Sequence, residues 1–362
     1  MHKRMERDSH DPSSSSSNSN DIEPLLLEGD GAAPRANWVM NVGAAAVYGV
    51  CSIVTTLANK ALLTSWGFEL VFTLLFLQNL LTVVVVFALK VIPIKRRRSS
   101  SDGTLGGGGG GYFGAAIAHE LDFALWDQPL AVAMTPVMIM CIANLVCGLS
   151  ALRLSSVPVY QTLKRMTPLP AMALDYVLRG RRFSAPVCCS VLVVCFGAIL
   201  TGLGDLEYNQ YGYAFAIASC ALQALYLVLA ARASDSRPLS SLAASYYNAL
   251  LSLPLLLFGV AYERDSLFAF AHWDKPRFHL MLILDLTLGA SLSLLLFMCT
   301  LVNSALTTTI VGNAKAVATT IFGAMLFGRV GLETLGWIGV GVNTAGGVLY
   351  SIAKFNERAR KS

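Results

Sequence analysis

From Trp38 onward the chain returns again and again to apolar runs long enough to cross a bilayer. That recurrence limits its fold more than any single motif does. A spanning helix needs about 20 predominantly apolar residues. Ten segments qualify, at approximately 38–63, 68–92, 129–151, 156–178, 183–204, 212–232, 240–260, 280–302, 306–328 and 332–353. The expected fold class is therefore an all-α integral membrane protein with ten transmembrane helices. Composition agrees: 14% of residues are charged, where soluble domains carry about a quarter. The net charge of +5 is no nucleic-acid signal, because the basic residues sit between apolar runs. All eight cysteines lie in or beside apolar segments without metal-ligand spacing, so no metal or cofactor is expected.

Three stretches stand apart from the helices. Residues 1–36 are rich in Ser, Asn and Asp and read as a disordered arm. Within it Asp21, Leu25 and Leu26 match the acidic dileucine sorting pattern. Residues 95–128 open with Lys95-Arg-Arg-Arg98 and carry six consecutive glycines, 106–111, which marks a flexible loop. His119–Asp127, at its end, reads as a short interfacial helix. Residues 356–362 form a basic tail after a ten-helix membrane domain spanning 37–355.

Orientation follows from the basic residues. With the N-terminus in the cytosol, eighteen of the 27 Lys and Arg fall on the cytosolic side and five on the luminal side. Lys60, Lys164, Arg165 and Lys315 fall inside segments. Both termini are then cytosolic, as an even number of crossings requires.

Lys315 is the residue to explain. An ammonium near the middle of a crossing helix costs roughly 2.5–3.5 kcal/mol on insertion scales, which marks it as functional by default. Thr308, Gly312, Lys315 and Thr319 share one helix face, a polar track with a cation at its centre. That face suits an anion. The same lysine could instead snorkel, or balance a buried carboxylate such as Asp175. Lys164 occupies the matching place in the fourth segment, and both segments end in Gly-Arg. The halves would be five-helix repeats of opposite orientation, the arrangement of many transporters with a site at the midplane.

The other segment charges are few. Asp175 lies in the fourth segment, Asp285 near the start of the eighth and Glu69 at a segment edge, while all five histidines lie outside the segments. This balance points to an anionic substrate moved by exchange rather than by proton coupling. Tyr246, Tyr247 and Asn248 offer aromatic faces and an amide to a nucleobase or ribose, though tyrosines also gather at membrane interfaces. No nucleophile elbow, phosphate-binding loop or paired catalytic carboxylates appear, so the chain is not expected to be an enzyme.

From about Trp38 to Phe355 these residues resemble the nucleotide-sugar transporters of the drug/metabolite transporter superfamily. The likeness rests on Asn59-Lys60, on Pro158 through Lys164-Arg165, on Tyr246-Tyr-Asn-Ala-Leu250, and on Asn303 through Gly312 followed by Lys315. It is greatest to the UDP-sugar branch, related to carriers of UDP-glucuronic acid and UDP-N-acetylhexosamines. The GDP-mannose carriers have F-Y-N-N and G-A-L-N-K motifs. Here Ala249 replaces the last asparagine of the first, and Gly312-Asn313-Ala314-Lys315 is one residue shorter than the second.

The resemblance implies an inverted-repeat antiporter in the Golgi membrane, with the ER or endosomes as alternatives. It would exchange a cytosolic UDP-sugar for a nucleoside monophosphate. Lys315 and Lys164 would neutralise phosphates, with Lys60, Gly312 and Asn313 in the site and Tyr246, Tyr247 and Asn248 on the nucleotide. The rivals are a carrier of another organic anion, such as a phosphorylated or GDP-linked sugar, and a non-transporting membrane scaffold. Monomer and homodimer both fit the sequence.

Overall fold

The structure, a computed structural model, describes residues 38–91, 121–180, 182–236, 240–302, 305–327 and 331–359. The sorting residues Asp21, Leu25 and Leu26, the glycine run and the end of the basic tail lie outside them. Every element in the described residues is helical, and the one β feature there is an isolated bridge between Asp205 and Leu332. Seven of the helices are long and apolar enough to cross a membrane, which makes this a multi-pass membrane protein.

In chain order the helices are α1 (Trp38–Lys60), continued by a π-helical turn over Ala61–Ser65, α2 (Val71–Val91), α3 (Gln128–Leu154), α4 (Val157–Lys164) and α5 (Pro168–Arg179). Then come α6 (Ala185–Leu203), α7 (Gln210–Ser236), α8 (Ser241–Tyr262), the single turn and a half of α9 (Arg264–Ala269), α10 (Pro276–Val302), α11 (Ala305–Leu326) and α12 (Thr334–Ala359). Prolines open α3, α4, α5 and α6, where a missing N–H leaves no helical bond unmade. Gly180 closes α5 in the left-handed region, at φ 63°.

Two expectations change. Residues 121–127 run as one turn residue followed by bends and irregular chain, not as the interfacial helix expected over His119–Asp127, whose first two residues lie outside the described ones. The fourth apolar segment is not one helix but two, α4 and α5, broken at Arg165-Met166-Thr167. Pro168 is the cause: it has no N–H to give the Lys164 carbonyl four residues back, and its ring would clash there. Thr167 takes over that carbonyl through its N–H at 3.3 Å and its hydroxyl at 2.7 Å. Lys164 thus ends a helix, where the negative end of the helix dipole favours a cation.

The helices alternate in direction. One end of the bundle gathers Glu69 with the ends of α1, α3, α6, α8 and α11, and the other gathers Lys90 with the loop residues 121–127. At the Glu69 end, Arg153 and Glu69 form an ion pair. Glu263 accepts the N–H groups of Phe72 at 3.0 Å and Thr73 at 2.8 Å, capping α2. Trp66, Phe68, Phe270, Trp273 and Phe278 stack edge to face beside the core cluster of Leu62, Leu63, Leu74, Leu75 and Leu256.

Packing pairs the helices in a regular way. α3 lies along α7, and α1 along α10; α3 also touches α8, and α10 touches α2. α4 and α5 rest on α7, and α11 on α1, while α2 pairs with α8 and α4 with α11. The closest pair is α6 with α12, whose backbones meet. A Cβ on Gly197 would lie 2.3 Å from the Asn343 nitrogen, and one on Gly339 2.3 Å from the Thr201 nitrogen, distances no side chain tolerates. Small residues are the usual means of such close approach in membranes. The outer face of α6 carries Leu192, Phe196 and Leu203, all exposed.

Candidate functional site

Two lysines sit within the bundle, each held from another helix. Lys164 Nζ, at the end of α4, donates to Ser219 Oγ of α7 at 2.6 Å and to Asn144 Oδ1 of α3 at 3.1 Å. Ser219 Oγ in turn donates to Asn144 Oδ1 at 2.8 Å. Ser219 and Asn144 are both buried. Gly148 lies one turn from Asn144 on the same face of α3. A methyl there would make ordinary contact with Ser219 Oγ at 3.4 Å and the Tyr160 hydroxyl at 3.5 Å.

Lys315 Nζ, in the unbroken helix α11, donates to Tyr48 Oη at 2.8 Å and Ser52 Oγ at 3.1 Å, both on α1. It also lies 4.6 Å from the centre of the Tyr48 ring, a cation–π contact. Beside it, a Cβ added to Gly312 would meet nothing within 4 Å, so the helix has open space one turn from the ammonium. The Asn313 side chain lies outside the described residues.

The depths match. Val157 and Gly323 touch where α4 and α11 cross near the Glu69 end, with a Gly323 Cβ falling 2.4 Å from Val157. Seven residues on, Lys164 lies about 10 Å further into the bundle, and eight residues back, Lys315 lies about 12 Å in, at 1.5 Å per helical residue. Among the described residues neither lysine has a carboxylate within ion-pair distance. Lys315 is held by hydroxyls and not by Asp175. Arg165, next to Lys164, donates to Thr344 of α12, while its Nε and second terminal nitrogen are buried without partners. Among the described residues, three cations thus lie in the bundle with only neutral groups as hydrogen-bond partners. Such an arrangement favours a bound anion, because charges in a low-dielectric interior interact far more strongly than in water.

The remaining expected site residues divide. Asn248 of α8 donates to Cys141 Sγ at 3.3 Å, and its carbonyl oxygen is buried without a partner. Cys141, Asn144 and Gly148 lie along one face of α3, so α3 connects Asn248 to the Lys164 site. Tyr246 and Tyr247 are buried and pack on Phe123 at the Lys90 end, and the Tyr247 hydroxyl donates to the Ala124 carbonyl at 2.8 Å. They hold the loop that follows the glycine run. Lys60 is buried as well. Its three N–H groups go to the carbonyls of Leu152 at 2.8 Å, Arg153 at 3.3 Å and Ser155 at 2.8 Å, which caps the end of α3.

Tyr48, Ser52, Asn144 and Ser219 hold the lysines, and sequence reasoning did not single them out. Asn144 alone left a trace, as an amide inside a long apolar run. Serine and tyrosine in such runs are too common to signal anything.

A family profile described as the Triose-phosphate Transporter family matches residues 44–351. The chain belongs to that family. The chain is similar to the UDP-galactose/UDP-glucose transporter 7 of Arabidopsis thaliana, 33% identical with 88% of this chain and 91% of the relative covered. The UDP-N-acetylglucosamine transporter UGNT1 of Arabidopsis thaliana is 28% identical, with 92% of each chain covered. The human nucleotide sugar transporter SLC35D2 is 26% identical, with 91% of each covered. A solved crystal structure shares the fold at a TM-score of 0.53 and 15% identity, covering 88% of this chain and 99% of its own.

Proposed function

We propose that this family member carries a UDP-sugar from the cytosol into the Golgi lumen and returns the nucleoside monophosphate. The observation that carries this reading is the pair of bundle lysines, at matching depth, held only by neutral hydroxyl and amide groups. A diphosphate supplies the charge they lack. The names of the relatives support a nucleotide sugar as cargo, and the shortened Gly312–Lys315 motif favours uridine over guanosine. Asn248, with its free carbonyl oxygen, is positioned to accept from a base or ribose. Tyr246 and Tyr247 would reach the nucleotide only after the 121–127 loop lifts. We place Lys60 outside the binding set, as a helix cap. No chemical step is involved, and the protein is read as a carrier, not an enzyme.

The packing supports ten crossings in two inverted halves. Matching α1 with α7, α2 with α8, α3 with α10, α4–α5 with α11 and α6 with α12 maps every main helix contact onto another or onto itself. The lysines obey the same rule. Lys164 reaches a serine on the first helix of the second half, and Lys315 a serine on the first helix of the first half. Alternating access would then be a rocking of the halves about the site, with the Glu69 end luminal and the Lys90 end cytosolic.

The test is reconstitution into liposomes preloaded with UMP, followed by uptake of a panel of labelled nucleotide sugars. Uptake of a UDP-sugar that depends on internal UMP is the expected result. Uptake of none of the panel would overturn the reading, and competition by GMP equal to that of UMP would overturn the preference for uridine.

A further inference from the structure

A cleft at the Lys90 end takes no part in the reading above. It lies where α6 begins beside the last turns of α12, and its volume is about 420 Å³. Sites for small ligands run from about 300 to 1,000 Å³. Arg182, Phe183, Ser184 and Pro186 form one wall, and Asn356 and Glu357 stand on the other.

The chain around the cleft is basic. Residues 179–186 and 353–362 hold seven Lys and Arg against one acid, Glu357. Arg182 is exposed, and Lys354 Nζ lies 5.4 Å from the centre of the Phe183 ring. The start of α6 adds to this charge. Its cap residue, Ser184, makes no side-chain bond to the first turn, and a helix start carries free N–H groups and the positive end of the dipole. Together these features call for a phosphate.

The cleft also leads into the membrane. On α6, exposed Leu192, Phe196 and Ile199 continue the face that Pro186 begins. On α12, exposed Ile352 and Leu349 continue the face of Asn356. Both stripes are apolar and run from the cleft along the outside of the bundle, where acyl chains lie. Glu357 narrows the choice of headgroup. A carboxylate accepts hydrogen bonds from hydroxyls and repels the carboxylate of a serine headgroup. The Asn356 amide pairs with hydroxyls equally well, and Phe183 offers a ring face.

We propose that this cleft binds a phosphorylated inositol lipid from the leaflet at the Lys90 end. Its phosphates meet Arg182 and the start of α6, its ring hydroxyls meet Asn356 and Glu357, and its chains follow the bare faces of α6 and α12. Basic pockets between membrane helices are suited to such headgroups. The bound lipid braces the α6–α12 pair. The site requires only that the chain be embedded in a membrane, so it stands apart from the carrier reading.

The test needs no substrate. The purified full chain in uncharged detergent is unfolded by heat against rising concentrations of short-chain phosphatidylinositol bisphosphate. A ligand of the folded state raises Tm as it saturates its site, and a shift of several degrees is expected. Short-chain phosphatidylserine, and inositol bisphosphate without acyl chains, should each give much smaller shifts at the same concentration. Arg182→Gln should weaken the lipid at least tenfold, and Asn356→Ala severalfold. Both residues are exposed, so both variants should unfold at the wild-type Tm without lipid. Arg264→Gln, which removes one charge at the opposite end, should bind as wild type does. An equal shift with phosphatidylserine would overturn the inositol headgroup, and an equal shift with the chain-free phosphate would overturn a lipid as the occupant. Wild-type affinity in both Arg182→Gln and Asn356→Ala would overturn the site itself.

Discussion

The two lysine sites differ in how firmly they are built. Lys164 ends a short helix at a proline break and is clasped by Ser219 and Asn144, both buried. Lys315, half-buried as Lys164 is, lies inside a continuous helix against the hydroxyls of the buried Tyr48 and of Ser52 on α1, with open space beside Gly312. The first is preorganised, since its two partners also bond each other. On the proposed reading, the first site would fix where an anion rests, and the second would turn from α1 when the anion arrives.

Substitutions should separate the two. Lys315→Ala has the largest expected effect, a loss of exchange on the order of a hundredfold from the missing charged hydrogen bonds, with normal amounts of folded protein. Its partners are hydroxyls that can bond to water or to each other. If Lys315→Ala instead lowers folded protein, and adding Asp175→Asn restores both abundance and uptake, Lys315 is a charge balance and not a ligand.

Lys164→Ala should cost both activity and stability, because Asn144 and Ser219 keep each other but lose a charged donor, and hydrogen bonds to charged groups contribute about 1.5–3 kcal/mol. Uptake corrected for folded protein would distinguish the two losses. Equal stability for the two alanine variants would break the comparison.

Arginine sharpens it. At position 315 the open space should admit the larger fork, leaving partial exchange, whereas at 164 the preorganised pocket should reject it, because a planar guanidinium does not replace a compact ammonium. Comparable activity for Lys164→Arg and Lys315→Arg in the same assay would show that the preorganisation does not matter.

The smallest contrast is between the serines. Ser219→Ala should lower uptake roughly tenfold, about 1.4 kcal/mol, by weakening a buried network. Ser52→Ala should change it by about twofold or less, since Tyr48 still holds the lysine.

The long apolar runs were legible because a bilayer imposes one length and one chemistry on whatever crosses it. Lys315 and Lys164 were legible for the converse reason, since charge in such a run needs a cause. The break in the fourth segment was visible as Pro168 but not its meaning, because prolines also open helices without breaking anything. The partners Tyr48, Ser52, Asn144 and Ser219 depend on which helices lie side by side, and no local pattern encodes that. Lys60 meets the same limit: its charge was evident, while the carbonyls that hold it belong to a helix end more than ninety residues away.

The contact of α6 with α12 bears on how the molecule comes apart. With Gly197 against Asn343 and Gly339 against Thr201, no side chain separates the two backbones; Asn343 ties them further through the carbonyl of Val194 at 2.9 Å and also reaches the carbonyl of Thr162 on α4 at 3.3 Å. Sliding one helix along the other would drive side chains into main chain, so this pair can hinge but cannot shear. Its amides should be the last to exchange their hydrogens with solvent. A deuterium-exchange map would then show a slow stripe along α6 and α12, with faster exchange across α1, α2, α7 and α8, the helices that would move if the halves rock.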